Sequence, residues 1–278
     1  MMFSRKHLET LSAIVIDAAE REVMPRFRNL SPHDIRQKKS PTDLVTEADE
    51  AAERAICAAL ATAFPGALLI GEEGMAANPA LLEKLPDADL AFVIDPVDVT
   101  LNYASGLPIF AVMAAALVRG EVVASIIHDP NARDSAMALR GEGAWMAHLD
   151  GRTRDLRVAK PASANAMSGM VSWRYFNEPL RTQIPASFSQ FEDVSSLRCC
   201  GQEYRMAADG HCHFLLYGHL NPWDHAPGTL LCNEAGGHAR LLNGQHYRAG
   251  AKSEGLLCAP DHESWNEIKA AFFGITGG

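Results

Sequence analysis

The first apolar positions, Leu8, Leu11, Val15, Ala18, Ala19 and Val23, recur at three- and four-residue intervals, and Pro25 follows them. This spacing predicts an amphipathic helix. A polar stretch over 31–43, with Lys38 and Lys39 in it, separates this helix from a second stripe of Ala48, Ala51, Ala52, Ala55, Ile56, Ala59, Leu60 and Ala63. Thr46-Glu47-Ala48-Asp49 reads as a capping box with Asp in place of Glu, and Phe64-Pro65-Gly66 ends the helix it opens. The pattern then changes period. Short, uniformly apolar runs at 67–70 and 90–94 suit strands covered on both faces, and each stops at carboxylates, Gly71-Glu72-Glu73-Gly74 and Asp95-Pro96. Open α/β sheets place ligands at such strand ends. Runs at 109–118 and 122–127 flank Arg119-Gly120 as a hairpin, and runs at 136–139 and 144–146 continue the sheet around Gly141-Glu142-Gly143. After Asp150-Gly151 the pattern restarts, with strand-like runs at 170–173 and 213–217 and a helix from Trp223-Asp224 to Gly236-Gly237. These runs predict an N-terminal α+β lobe, 1–147, and a C-terminal α/β lobe, 148–278.

Composition narrows the function. A chain of 278 residues with 47% hydrophobic and 21% charged residues folds as one large or two modest domains and is not disordered. Lys plus Arg number 25 against 34 Asp plus Glu, a formal charge of −9, which disfavours binding to a nucleic-acid backbone. A small anionic substrate then needs local positive charge, and a metal supplies it. The six Cys contain no C-x-x-C pair and point to a reducing compartment. Residues 1–9 carry Arg5, Lys6 and His7 but no apolar core, so no secretory signal is expected there. The longest apolar run is only strand-sized. The expectation is a soluble cytoplasmic protein with no membrane or nucleic-acid partner.

The chemistry lies in carboxylates. Asp95 and Asp98 leave the end of one buried strand with Pro96 forcing a turn, and two such groups repel unless a cation sits between them. Oxygen ligands without clustered His or Cys favour Mg²⁺ over Zn²⁺. Several carboxylates converging on hard cations suit phosphoryl transfer. Taken singly, each residue has a plain structural reading: a turn for Asp95 and Asp98, a helix N-cap for Asp224, solvated positions for Glu72, Glu73 and Asp49. The ordered set of four segments outweighs those readings. His211-Cys212-His213, with no second cluster, is read as structural or surface, and Cys199-Cys200 as small buried hydrophobes.

The four segments are Lys38 upstream of Asp43-Leu-Val-Thr46-Glu-Ala-Asp49; Gly71-Glu72-Glu73; Asp95-Pro96-Val97-Asp98-Val99-Thr100-Leu101-Asn102-Tyr103; and Trp223-Asp224-His225-Ala226-Pro227-Gly228 with Glu234-Ala-Gly-Gly237. From Lys38 to Gly237 this set closely resembles the inositol monophosphatase family. The family patterns are D-x-V-T-x-x-D, G-E-E, D-P-[IVL]-D-G-T-x-N-[FY] and W-D-x-A-x-G with a trailing E-A-G-G. The resemblance implies an α+β fold, a layered αβαβα sandwich of the inositol monophosphatase and fructose-1,6-bisphosphatase type, usually a homodimer. It implies Mg²⁺-dependent hydrolysis of a small phosphate monoester, with two or three ions, Mn²⁺ as a substitute and Li⁺ as an inhibitor. Carried over residue by residue, Glu72, Asp95 and the Val97 carbonyl would hold one metal, and Asp95, Asp98 and Asp224 a second. Thr100 with Asp49, helped by Glu72, would position and deprotonate the attacking water. Lys38 would be an accessory cation near the phosphate. Trp145, after Gly141-Glu-Gly143-Ala144, matches a further family turn and is expected to pack.

Two departures bear on substrate and rate. The family Gly after the second Asp is Val99 here, at the turn whose backbone N–H groups receive phosphate together with Thr100. A β-branched residue resists positive φ and close approach. Inositol phosphatases also place an acidic residue shortly before W-D, where this chain has Tyr217 as the expected substrate contact, and the upstream G-[ST]-A is replaced by Arg198-Cys199-Cys200-Gly201. myo-Inositol phosphate is therefore not the expected best substrate. Histidinol phosphate, a sugar phosphate or a nucleotide 3′-phosphate are the alternatives within the class, and a catalytically weakened regulatory or binding protein is the alternative outside it.

Overall fold

Along residues 111–118, Ala111, Met113, Ala115 and Leu117 pack to one side while Val112, Ala114 and Ala116 pack to the other. Apolar residues on both faces of a strand require cover on both faces. The computed structural model, which describes residues 3–75, 78–250 and 253–274, shows how that cover is built. Met1 and Met2, at the head of the segment expected not to be a signal, lie outside the described residues.

Helix α1 (Arg5–Ala18) leads through an antiparallel hairpin, β1 (Ile35–Gln37) and β2 (Leu44–Thr46), into α2 (Glu47–Ala63). A seven-stranded sheet follows in chain order: β3 (Leu68–Gly71), β4 (Ala91–Asp98), β5 (Ala111–Val118), β6 (Glu121–Asp129), β7 (Asp134–Leu139), β8 (Gly143–His148) and β9 (Thr153–Asp155). Short helices α3 (Glu72–Met75) and α4 (Thr100–Ala104) leave the ends of β3 and β4, which form the parallel pair of this sheet among the described residues. The second sheet has the order β11-β10-β12-β14-β13, from β10 (Ser168–Ser172), β11 (Asp193–Ser195), β12 (Phe214–Tyr217), β13 (His238–Leu241) and β14 (Leu256–Ala259). Its connections carry α5 (Leu180–Ala186), α6 (Cys200–Ala208) and α7 (Pro222–Glu234), and α8 (His262–Phe273) ends the described chain.

Three apolar clusters separate five layers. Leu8, Leu11, Ala52 and Ile56 of α1 and α2 meet Phe92, Ile94 and Val112 of the first sheet. Val93 and Met113, on the opposite face, meet Tyr204, Leu230 and Leu231 of α6 and α7 and Leu215 of the second sheet. Phe214 and Leu216, turned the other way on β12, meet Ile184, Trp265 and Ile268 of α5 and α8. The result is the expected α+β, αβαβα layered sandwich.

The strong periods became the expected elements, and the Arg119-Gly120 hairpin turns with φ of 50° and 75°. Other elements escaped the pattern. β1 and β2 are three residues each within a polar stretch. In α6 the buried residues include Glu203 and Arg205, which interrupt its apolar stripe. The first sheet runs through β9 to Asp155, past residue 147, and the second begins at Ser168. Among the described residues, no helix is long and apolar enough to cross a membrane.

Candidate active site

Asp95 and Asp98 would point to opposite faces of a regular strand, being three residues apart. On β4 they do not. Asp95 pairs with Met113 and Asp98 with Ala111, so three steps on β4 oppose two on β5. The extra residue is a β-bulge, placed where Pro96 cannot donate to the ladder. Because Met113 and Ala111 both face the space between the sheets, the bulge turns both carboxylates the same way. The strand therefore continues through Asp98 instead of stopping at Ile94 as the apolar run suggested.

The opposite wall comes from α6 and α7. Asp224 sits in the first turn of α7, where Asn221 Nδ2 donates to its Oδ2 at 3.1 Å. Gly228 lets that helix seat against α6, since a Cβ there would fall 2.0 Å from the Tyr204 ring. Gly201 does the same for α6: a Cβ would lie 2.6 Å from Met113 Sδ, and its N–H donates to Asp98 Oδ2 at 2.5 Å. Cys199 Sγ–H donates to the same oxygen at 3.1 Å, and Cys200 Sγ–H to the Asp224 carbonyl at 3.3 Å. Glu234, in E-A-G-G, ties the end of α7 to the turn between β7 and β8, accepting from Gly141 N–H at 2.9 Å and Gly143 N–H at 3.0 Å.

The other expected residues close the group from the side of α2 and α3. Thr46 caps α2 and donates from N–H and Oγ–H to Asp49 Oδ2, at 2.9 and 2.5 Å. Thr100 Oγ–H donates to Asp49 Oδ1 at 2.7 Å, linking the start of α4 to α2. Lys38 Nζ bridges Glu72 Oε1 at 3.1 Å and Glu73 Oε1 at 2.6 Å. Lys38 thus has a defined ionic partner set and is not one of a solvated pair.

Charge is concentrated here, and among the described residues no cationic side chain forms an ion pair with Asp95, Asp98 or Asp224. Burial pushes Asp95 well above the ordinary carboxylate range, and the charges of Glu72, Asp98 and Asp224 push the same way. Burial, then the charges of Glu72 and Asp98, raise Asp224 likewise. Burial also lifts Asp98 to about 6 against the bonds from Gly201 and Cys199. Among the described residues, no three His, Cys, Asp or Glu side chains already close on one point as a cation cage. The donor chemistry still fits Mg²⁺: four carboxylates and the Val97 carbonyl would offer hard oxygen donors, and a dication would relieve the carboxylates' repulsion. Burial and Asp98 hold the thiols of Cys199 and Cys200 protonated, so they donate and do not compete as soft ligands.

Val99 takes the left-handed conformation, φ 67° and ψ 70°, between β4 and α4. The family glycine position thus does need positive φ, and a β-branched residue holds it under strain of about 1–3 kcal/mol. Val99→Gly should raise stability by about 1 kcal/mol after subtracting roughly 0.5–1 kcal/mol for the freer unfolded chain. Chemical denaturation of both proteins measures this, and a destabilised variant would show that Val99 packing outweighs its strain.

Tyr217 corrects the sequence reading. It is 2% exposed, lies between the sheets, and donates its hydroxyl to Glu203 Oε2 at 2.8 Å, so it offers no atom to a ligand. Glu203, missed by sequence, is 1% exposed and also accepts from Leu197 N–H at 2.9 Å and Ser196 Oγ–H at 3.1 Å. It props the loop that leads into Cys199 and Gly201. Burial lifts its pKa to about 7 from 4.5, against those three hydrogen bonds. A raised carboxyl pKa favours the folded state fully below the unfolded value of 4.5, and the contribution is lost as pH climbs from there through about 7. Glu203→Gln should flatten the fall in melting temperature between about pH 4.5 and 7, and parallel profiles would refute the assignment. The His211-Cys212-His213 trio is dispersed: His211 pairs with Asp209, Cys212 is buried, and His213 Nδ1 accepts from Ser168 N–H. Trp145 packs, as expected, at 8% exposure.

The sequence profile of the inositol monophosphatase family matches residues 5–272. An inositol-1-monophosphatase of Mycobacterium bovis is 30% identical over 232 residues, covering 81% of this chain and 77% of that protein. A protein named Nus factor SuhB from Pseudomonas aeruginosa is 32% identical over 228 residues, covering 79% and 81%. Among solved structures, a Thermotoga maritima IMPase superposes with TM-score 0.80 at 23% identity over 96% of both chains, a likeness of fold. With a family profile spanning nearly its whole length and a relative 30% identical over about four fifths of the chain, the chain belongs to the inositol monophosphatase family.

Proposed function

We propose that this protein is a Mg²⁺-dependent hydrolase of small phosphate monoesters. Family membership supports phosphatase activity, and the observation that carries the finer reading is the turning of Asp95 and Asp98 toward Asp224 between the sheets. Bound there by Glu72, Asp95, Asp98, Asp224 and the Val97 carbonyl, two or three Mg²⁺ would supply the positive charge an anionic phosphate needs and lower the pKa of water. Mn²⁺ is the expected substitute and Li⁺ the expected inhibitor. Thr100 spends its hydroxyl proton on Asp49, so its oxygen lone pairs are left to accept from the attacking water. The water's proton then passes toward Asp49, whose pKa burial lifts to about 6, with Glu72 as a helper. Backbone N–H groups of Val99 and Thr100 would take the phosphate, and Lys38 would hold Glu72 and Glu73 in place beside it. The N-terminal lobe, 1–147, contributes most of these residues and the C-terminal lobe, 148–278, contributes Asp224. A cytoplasmic homodimer without membrane or nucleic-acid partners completes the proposal.

myo-Inositol phosphate is not proposed as the preferred substrate. The position that carries an acidic polyol contact in inositol phosphatases is Tyr217, buried and turned onto Glu203. Histidinol phosphate, a sugar phosphate and a nucleotide 3′-phosphate are the proposed alternatives. Phosphate release across these compounds decides it: a kcat/KM for myo-inositol 1-phosphate well above the rest would overturn the ranking. The strained Val99 and the relative named Nus factor support the second reading, a catalytically weakened regulatory protein. Val99→Gly discriminates here too, since a weakened enzyme should recover kcat/KM when the phosphate turn opens.

A further inference from the structure

Glu53 on α2 is 9% exposed, and none of the segments that define the site includes it. Its two oxygens accept separate backbone bonds, Glu73 N–H to Oε2 and Gly74 N–H to Oε1, each at 2.7 Å. These amides belong to the first turn of α3, where backbone donors have no partner within the helix. Gly71 makes the room: a Cβ there would stand 2.2 Å from Glu53 Cδ. The carboxylate therefore occupies a space kept open for it, although it adds negative charge beside Glu72 and Glu73. Only a carboxylate serves both amides at once. Gln offers one acceptor oxygen and would turn its NH₂ against the second N–H.

We propose that Glu53 is a positioning residue that fixes the Glu72-Glu73 turn and thereby aims the Glu72 carboxylate at the cation shared with Asp95. The proposal rests on the reading of Glu72 as a Mg²⁺ ligand. Partners that hold ligands in place are typically worth 10–100-fold in metal affinity. The test titrates Mg²⁺ alone by calorimetry into wild type, Glu53→Gln and Gly71→Ala, with Ile56→Val as a core change on the same helix. Amide exchange at Glu73 and Gly74 is followed without metal. Expected are a roughly 10–100-fold weaker Mg²⁺ affinity and faster exchange at both amides in Glu53→Gln and Gly71→Ala, with neither change in Ile56→Val. Gly71→Ala carries the test if Glu53→Gln does not fold. Wild-type affinity in a variant whose two amides exchange faster would overturn the positioning role alone. A wild type that binds no Mg²⁺ would overturn the metal reading and this role with it.

Discussion

Asp95→Asn is expected to lower kcat/KM by about a thousandfold, because one carboxylate charge disappears from both proposed metal positions. Charge stabilisation by catalytic metals is worth several kcal/mol, and about 4 kcal/mol corresponds to a factor near 10³. The same substitution should leave the metal-free protein at least as stable as wild type, since Asp95 is 1% exposed and pressed by Glu72, Asp98 and Asp224. Mg²⁺ at a hundred times its Kd should stabilise wild type by about 2.7 kcal/mol and the variant by much less. Lost activity with no loss of metal-free stability separates a ligand from a structural residue. Undiminished phosphate release would remove Asp95 from the site.

Thr100→Ala should reduce kcat by about 10²–10⁴-fold, the range for a positioned proton-transfer group. Mg²⁺ should still raise the melting temperature, since neither Thr100 nor Asp49 is a proposed ligand. The variant also takes one of three hydrogen bonds from buried Asp49 and should cost about 1–3 kcal/mol of stability. Asp49→Asn is the companion test: it keeps the shape, removes the acceptor charge, and should lose rate to a similar degree. Steady-state kinetics at saturating Mg²⁺ measures both. A kcat within a few-fold of wild type in each would place the proton path elsewhere.

How much of this the sequence discloses depends on whether the signal is local. The apolar alternation of β5 and the stripe of α2 are local, and both elements form where they are expected. The order of Lys38, Asp49, Glu72, Asp95, Asp98, Thr100 and Asp224 is also legible. What turns Asp95 and Asp98 to one face is not, because a bulge exists only relative to the partner strand. The conformation of Val99 was open for a related reason: side-chain type sets the cost of positive φ, while the turn between β4 and α4 decides whether that cost is incurred. The position of Tyr217 along the chain is legible in the sequence, and its burial against Glu203 is not. Its hydroxyl needs a buried acceptor, and Glu203, fourteen residues earlier, supplies it from another element. Glu53 did have a signal, four residues after Asp49 and so on the same side of α2.

Phosphate release by the purified wild-type protein from a panel of small phosphate monoesters, assayed with millimolar Mg²⁺ and again after chelation, tests the proposed metal-dependent hydrolysis most directly. Release that requires Mg²⁺, is restored when the ion returns, and disappears in Asp95→Asn is the predicted result. Equal release with and without the metal, or none from any compound while Mg²⁺ still binds, would contradict it.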